Sequence, residues 1–355
     1  MGKIVIHIGF PKTGTTSIQA FLYKNRKLLR AQNIYYEMFS KSRDNIIRDV
    51  EPYRNGTFLD IDNPIYEKDK TVKKLITFID KSTLKRLSKN NHTALFSYEN
   101  LSLTHTVNWP SIVNLLKKSG FGEVSIIVYI RPQDSFLLSS WKMGIKAKYQ
   151  DYNCDFNDYY KNQDWKAYYY IHLEEIEKNL ESFQSEINVR IYDRNRFEGG
   201  DIYHDFCSAI GCKWDPRFEI PQDVNTTTTL DVTEALRIIN KMGYPGIHDN
   251  KEKRNRIMRA AEGYSREHPE TVRMYPLAPD KRRELMNQFI ECNNKLAERY
   301  LKGSQKDIVL GWKAASDYVV WQPDEEKAES IAAEILSEPV LKKNPMISDA
   351  QKSIY

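Results

Sequence analysis

Groups that bind anions crowd one short stretch near the start of the chain. Lys12 carries an ammonium, Thr13, Thr15, Thr16 and Ser17 carry hydroxyls, and Gly9 and Gly14 flank the lysine. Before them runs Ile4-Val5-Ile6-His7-Ile8, an apolar stretch that reads as a buried strand. After them Ile18, Phe21, Leu22, Leu28 and Leu29 recur at helical spacing. A loop between strand and helix aims backbone N–H groups and a helix N-terminus at one point, which makes an anion site. Four hydroxyls and a lysine at one helix start exceed what a cap requires.

The spacing Gly9-x-x-x-x-Gly14 matches the first part of a nucleotide P-loop, G-x-x-x-x-G-K-[ST]. Thr15 stands where that motif requires lysine, and the lysine lies inside the loop at Lys12. This departure argues against an ordinary Mg-nucleotide site. A second group of residues sharpens the point. Val124–Ile130 is the most strand-like run in the chain, and it ends in Arg131 where a P-loop nucleotidase usually has an Asp that helps hold Mg²⁺. Eight residues on, Ser139 lies on the helix that follows. Ligands of open α/β sheets sit beyond the carboxyl ends of the strands. Arg131 with Ser139 therefore reads as a second anion site near the first.

The elements that must position these groups follow from the pattern of apolar residues. A helix is predicted over 15–29 and a short strand over 33–36. Residues 40–70 read as an insertion or long loop, and a helix follows over 72–89. Next come a buried strand at 93–97, a helix at 111–118, the strand at 124–130 and a helix at 134–148. The stretch 149–170 is crowded with tyrosines. A helix at 173–183, a strand at 188–192 and a helix at 201–210 ending at Gly211 come next. Residues 213–230 read as irregular, helices occupy 231–242, 251–263 and 279–301, and 335–355 reads as a loose tail. Strands alternating with helices predict an α/β fold with a central parallel sheet and helices on both faces. Helical insertions and a helical C-terminal part extend it. One domain is expected over 1–335, with 40–70 as the insertion and 140–185 and 213–280 as helical regions on the acceptor side; 336–355 is the tail.

The chain has 355 residues, 41% hydrophobic and 28% charged, with a net charge of +5. That charge favours an anionic cofactor or substrate without suggesting nucleic acid. No apolar run approaches the ~18 residues of a spanning helix, and no signal peptide is read, so a cytoplasmic protein is expected, with peripheral membrane contact left open. Cys154, Cys207, Cys212 and Cys292 form no C-x-x-C pair and read as reduced, structural thiols.

The two motifs together resemble the sulfotransferases that use 3′-phosphoadenosine 5′-phosphosulfate (PAPS). In that family a strand leads into P-K-[ST]-G-[ST]-[ST], and here it leads into Pro11-Lys12-Thr13-Gly14-Thr15-Thr16. A later strand ends in Arg, seven residues and Ser, as Arg131 and Ser139 do here. Val189–Arg194 is similar to a family strand near the adenine. The segment 283–301, with Phe289, Asn293 and Leu296, looks like the last helix of bacterial carbohydrate sulfotransferases. The resemblance implies a P-loop-like sulfotransferase fold in which Lys12, Thr13, Gly14, Thr15, Thr16 and Ser17 hold the 5′-phosphosulfate and Arg131 and Ser139 the 3′-phosphate. It also implies that Lys12 stabilises charge on the bridging oxygen, and that no metal is needed. Catalysis would rest on positioning and charge stabilisation.

An acceptor hydroxyl still needs a base within reach. Several glycan sulfotransferases use a Glu, and Ser97-Tyr98-Glu99 ends the comparable strand here, so Glu99 is the expected base. His92 and His105 stand behind it, and His7 reads as a core histidine. The tyrosines of 149–170, with Trp141, Lys142 and Lys146, suit an anionic glycan or else form a packed layer. Arg190 and Arg194 either face the pocket or are solvated. The expected acceptor is a carbohydrate, polysaccharide or glycolipid. Two other readings are a P-loop kinase for a small molecule and a non-catalytic glycan- or nucleotide-binding module on the same fold.

Overall fold

Continuous apolar runs make strands only where both faces of a sheet are covered, and the first strand shows this residue by residue. The computed structural model describes residues 2–10, 12–36, 81–89, 92–98, 109–146, 153–162, 169–221, 228–243, 251–310, 312 and 318–337. In β1 (Gly2–Gly9), Ile4, Ile6 and Ile8 enter one buried cluster while Val5 enters another. The same alternation runs through β3 (Thr93–Tyr98) and β4 (Phe121–Ile130). Ala94, Phe96, Ile126 and Val128 join the first cluster; Leu95, Ile127 and Tyr129 join the second. The period-2 geometry of a strand sends alternate side chains to opposite faces.

With β2 (Ile34–Tyr35) and β5 (Gln184–Ile191) these strands form a five-stranded parallel sheet in the order β2-β3-β1-β4-β5. One face carries α1 (Thr15–Lys24), α2 (Arg26–Ala31) and α8 (Ile202–Ala209). The other carries α3 (Lys81–Leu87), α4 (Trp109–Ser119) and α7 (Tyr169–Leu180), together with α12 (Ile290–Tyr300) and α13 (Gly303–Leu310). The chain leaves β1 toward one face and reaches β5 through α7 on the other. The carboxyl ends of the neighbouring strands β1 and β4 therefore border a switch point, where open α/β sheets place ligands.

The described residues gather into two compact units, and the sheet belongs to the first: 1–136, 165–225 and 283–314. The second comprises 137–164, 226–282 and 315–355. Its described core contains α9 (Leu230–Lys241) packed on α14 (Glu325–Ser337) and α10 (Lys251–Glu267). Met274–Tyr275 (β6) pairs in parallel with Val319–Val320 (β7). Helices α5 (Gln133–Lys146) and α11 (Pro279–Asn287) contribute to both units, and α6 (Phe156–Asn162) to the second.

The helix expected over 15–29 is two helices broken at Asn25. That side chain donates to Phe21 O (2.9 Å) and Glu219 O (2.9 Å) and accepts from Glu219 N (2.8 Å). Its amide trades helix continuity for a tie to a distant loop. The helix expected over 279–301 likewise breaks between Asn287 and Ile290. Residues 335–337, read as tail, close α14, while 338–355 and the insertion 40–70 lie outside the described residues. Among the described residues no helix is long and apolar enough to cross a membrane.

Candidate anion site at the ends of β1 and β4

β1 ends at Gly9, and the chain turns into α1 through two left-handed residues. Lys12 has φ 67° and Gly14 φ 79°. Glycine takes this conformation without strain, whereas a side chain there costs roughly 1–2 kcal/mol. Gly14 caps α1, its carbonyl accepting from Ile18 N at 3.0 Å. A Cβ at Gly14 would press on Ile202 (2.6 Å) and on the Tyr192 ring (2.9 Å), so glycine is required by both backbone and space. A Cβ at Gly9 would collide with Thr15 Oγ1.

The hydroxyls divide by role. Thr13 is fully buried and gives its one hydroxyl hydrogen to Phe10 O at 2.7 Å, so its side chain braces the loop itself. Ser17 shares a hydrogen bond with the Tyr203 hydroxyl. Thr16 is half-buried at the helix start. Thr15 is 4% exposed, and its Oγ1 is buried with no hydrogen-bond partner among the described residues. A buried hydroxyl left unpaired costs about 1–3 kcal/mol. At a helix N-terminus inside a glycine-bounded turn, such a group suits a ligand oxygen.

Arg131 follows β4 directly and reaches this loop. Its Nη1 donates to Lys12 O at 3.0 Å, and its guanidinium lies 5.7 Å from the centre of the Tyr192 ring. Tyr169 holds Arg131 from behind, its hydroxyl donating to Arg131 O at 2.8 Å. Tyr169 is fully buried, and burial pushes its hydroxyl pKa far up, so it remains a donor. The strand ends thus bring together Lys12, Thr13, Gly14, Thr15, Thr16, Ser17 and Arg131. Ser139 is half-buried on the part of α5 that belongs to the second unit. β3 is described to Tyr98, which pairs in register with Ile8; Glu99 and His105 lie outside the described residues.

Other candidates fall elsewhere. His92 precedes β3 at the amino end of the sheet, its Nε2 3.3 Å from the Tyr35 hydroxyl. A six-residue strand spans roughly 20 Å, which places His92 away from the carboxyl ends. His7 is a core residue: its Nδ1 lies 2.8 Å from Ser97 Oγ, and burial lowers its pKa to about 3. Gln19 Nε2 donates to Ser97 O at 3.0 Å, fixing β3 near its end. Arg190 neither lines the loop nor is solvated. It makes a bidentate pair with buried Asp205, both contacts 2.7 Å, and Tyr129 donates to the same carboxylate at 2.5 Å. Arg194 is exposed.

Of the two readings of Trp141, Lys142 and Lys146, glycan-facing or packed, the described contacts of Trp141 and Lys142 are those of packed residues. Trp141 is buried in the second unit, packed edge-on to Phe156 with its Nε1 donating to Cys154 O at 3.2 Å. Lys142 is buried and donates to Thr228 O at 2.8 Å, and burial lowers its pKa. Lys146 pairs with Glu262 at 2.8 Å. Within 149–170, Tyr159 and Tyr169 are core residues.

Two supporting residues escape a reading of motifs, Tyr169 and Tyr203. A signal existed for the first. Tyr169, Leu173, Ile176 and Leu180 recur at helical spacing and form the buried stripe of α7. Tyr192 falls in the segment Val189–Arg194 already singled out, whereas Tyr203 meets the loop only through tertiary packing and no local pattern marks it.

No family model matches the chain. It is similar to an uncharacterized protein of Archaeoglobus fulgidus, 25% identical over 190 residues, covering 52% of this chain and 48% of that protein. The chain thus spans about half the length of this curated relative.

Proposed function

We propose that the chain is a sulfotransferase that moves the sulfuryl group of PAPS to a hydroxyl acceptor, a carbohydrate in the first instance. The observation that carries this reading is the loop at the end of β1. It holds an unpaired buried hydroxyl at Thr15 and is tied to an arginine at the end of the neighbouring strand. Arg131 reaches the backbone of Lys12, so two cationic residues lie at strand ends where a nucleotidase would combine a lysine with a metal-holding Asp. The resemblance of Pro11–Thr16 and of Arg131 with Ser139 to the two family motifs supports the same reading.

On this reading PAPS supplies an activated sulfuryl group on a good leaving phosphate. The Thr15 hydroxyl and the helix N-terminus hold the phosphosulfate end, with Thr16 beside them. The Lys12 ammonium stabilises charge that builds on the bridging oxygen, a type of contribution worth roughly 10²–10³-fold in rate. Arg131 holds the 3′-phosphate. Glu99, following β3, accepts the proton of the acceptor hydroxyl.

Titration with adenosine 3′,5′-bisphosphate in the absence of Mg²⁺ tests the cofactor. Binding is expected, and a larger thermal shift with Mg-ATP would favour a small-molecule kinase instead. Labelled PAPS offered with a panel of glycans, phenols and lipids tests the reaction and names the acceptor. Glu99→Gln should lower turnover by roughly 10²–10⁴-fold while bisphosphate binding persists; full activity would place the base elsewhere.

A further inference from the structure

Lys12 is one of two residues other than glycine with positive φ among those described, the other being Asn33. A lysine does not choose this conformation, so something outside the residue must hold it. The carbonyl of Lys12 receives Arg131 Nη1 at 3.0 Å, and Arg131 is anchored in turn by the Tyr169 hydroxyl at 2.8 Å from its own carbonyl. Tyr169 is fixed by the core, edge-on to Phe10 with ring centres 4.6 Å apart, and Phe10 O is the acceptor that Thr13 uses to close the loop. Tyr169, Arg131, Lys12, Thr13 and Phe10 thus form a closed ring of contacts around the turn.

From this ring we infer that Arg131 is a positioning residue for the anion loop as well as an anion ligand, and that Tyr169 is the anchor through which it acts. A guanidinium has five donors in one plane and can hold a carbonyl and an anion at once. The bond to Lys12 O keeps the left-handed turn formed, and with it the direction of the Lys12 side chain and the approach to Thr15. Removing Arg131 therefore damages both ends of the ligand. An anion that touches only the loop, such as inorganic pyrophosphate, loses affinity too. The inference stands on loop geometry and builds on the sulfuryl-donor reading only in naming the ligand.

Hydrogen–deuterium exchange on the full chain tests it without any ligand. Arg131→Ala should speed exchange in peptides covering 10–18 by roughly fivefold or more, the worth of about one hydrogen bond. Peptides of β5 should be unchanged. Tyr169→Phe, which removes only the anchoring hydroxyl, should act in the same direction and less. Where Arg131→Ala fails to fold, Arg131→Lys and Tyr169→Phe carry the test. Exchange over 10–18 matching wild type in the folded variants would overturn the inference. In a second arm, pyrophosphate and adenosine 3′,5′-bisphosphate are titrated into wild type and variants. Loss of both affinities is expected, and loss of the bisphosphate alone would reduce Arg131 to a 3′-phosphate ligand. If wild type binds pyrophosphate but not the bisphosphate, the sulfuryl-donor reading fails, and the positioning role still stands on the exchange result.

Discussion

Two arginines sit at the carboxyl ends of neighbouring strands and do different work. Arg190 on β5 is held by Asp205 in a bidentate pair, which the Tyr129 hydroxyl and the Glu198 N–H also join. That cluster closes on itself: a buried carboxylate, a guanidinium and a phenol satisfy one another. Arg131, just past β4, is tied to backbone, donating to Lys12 O while Tyr169 donates to Arg131 O. The first arrangement binds β4 and β5 to α8. The second shapes a loop. An arginine at a strand end is thus no sign of a site by itself; what its donors hold decides its role.

The largest test of that contrast is to break the closed cluster. Asp205→Ala takes from half-buried Arg190 its bidentate carboxylate, leaving Glu198 at 3.5 Å, and should cost about 1.5–3 kcal/mol in chemical denaturation. A cost below about 1 kcal/mol, the range of exposed pairs, would mean the cluster is not a buried ion pair in solution. The matched lysine substitutions set the two arginines against each other. Arg190→Lys loses bidentate geometry and should cost about 1–2 kcal/mol of stability, leaving bisphosphate affinity near wild type. Arg131→Lys should do the reverse, with stability nearly kept and affinity down about tenfold or more. Equal effects of the two on binding would erase the distinction.

The sequence made the loop legible and left the cluster unread, for a physical reason. Lys12, Gly14 and Thr15 act together because they are adjacent in the chain, and Arg131 is found because it ends a run of buried residues, Val124–Ile130. Strand and helix periodicity also predicted the sheet, since both faces of β1, β3 and β4 are covered. Arg190 and Asp205 are 15 residues apart on different elements, and nothing local pairs them. The same holds for Lys142, whose partner Thr228 O is 86 residues away. Long amphipathic side chains read as solvent-facing in a sequence, and they turn inward wherever a distant carbonyl or carboxylate meets them. Lys142 and Tyr169, which composition alone reads as polar surface, are buried for this reason.

A subtler test exploits the loop's unpaired hydroxyl. Thr15→Val keeps shape and removes a buried polar group that has no partner among the described residues. Loss of a satisfied hydroxyl destabilises, whereas loss of an unsatisfied one is neutral or stabilising. Stability should therefore hold or rise slightly while bisphosphate affinity falls about tenfold, a hydrogen bond to a charged group being worth about 1.5–3 kcal/mol. A parallel loss of stability and affinity would show that Thr15 has a structural partner instead.

A pH-driven effect concerns His7, which lies against the closed cluster, 6.1 Å from the Tyr129 ring and 5.1 Å from that of Phe206. Burial lowers its pKa to about 3, from 6.5 in a solvated chain. Between those values the unfolded chain binds a proton that the folded one refuses. Stability from this residue is therefore fully present above about pH 6.5, and it declines as pH falls toward 3, by up to about 1.4 kcal/mol per unit. His7→Asn removes the titration while leaving an amide able to bond Ser97. Wild-type stability minus that of the variant, followed by denaturation from pH 8 to 4, should stay flat down to about 6.5 and then fall. A difference that stays flat to pH 4 would mean that the imidazole is protonated in the fold, and that the cluster beside it is wetter than its closed geometry implies.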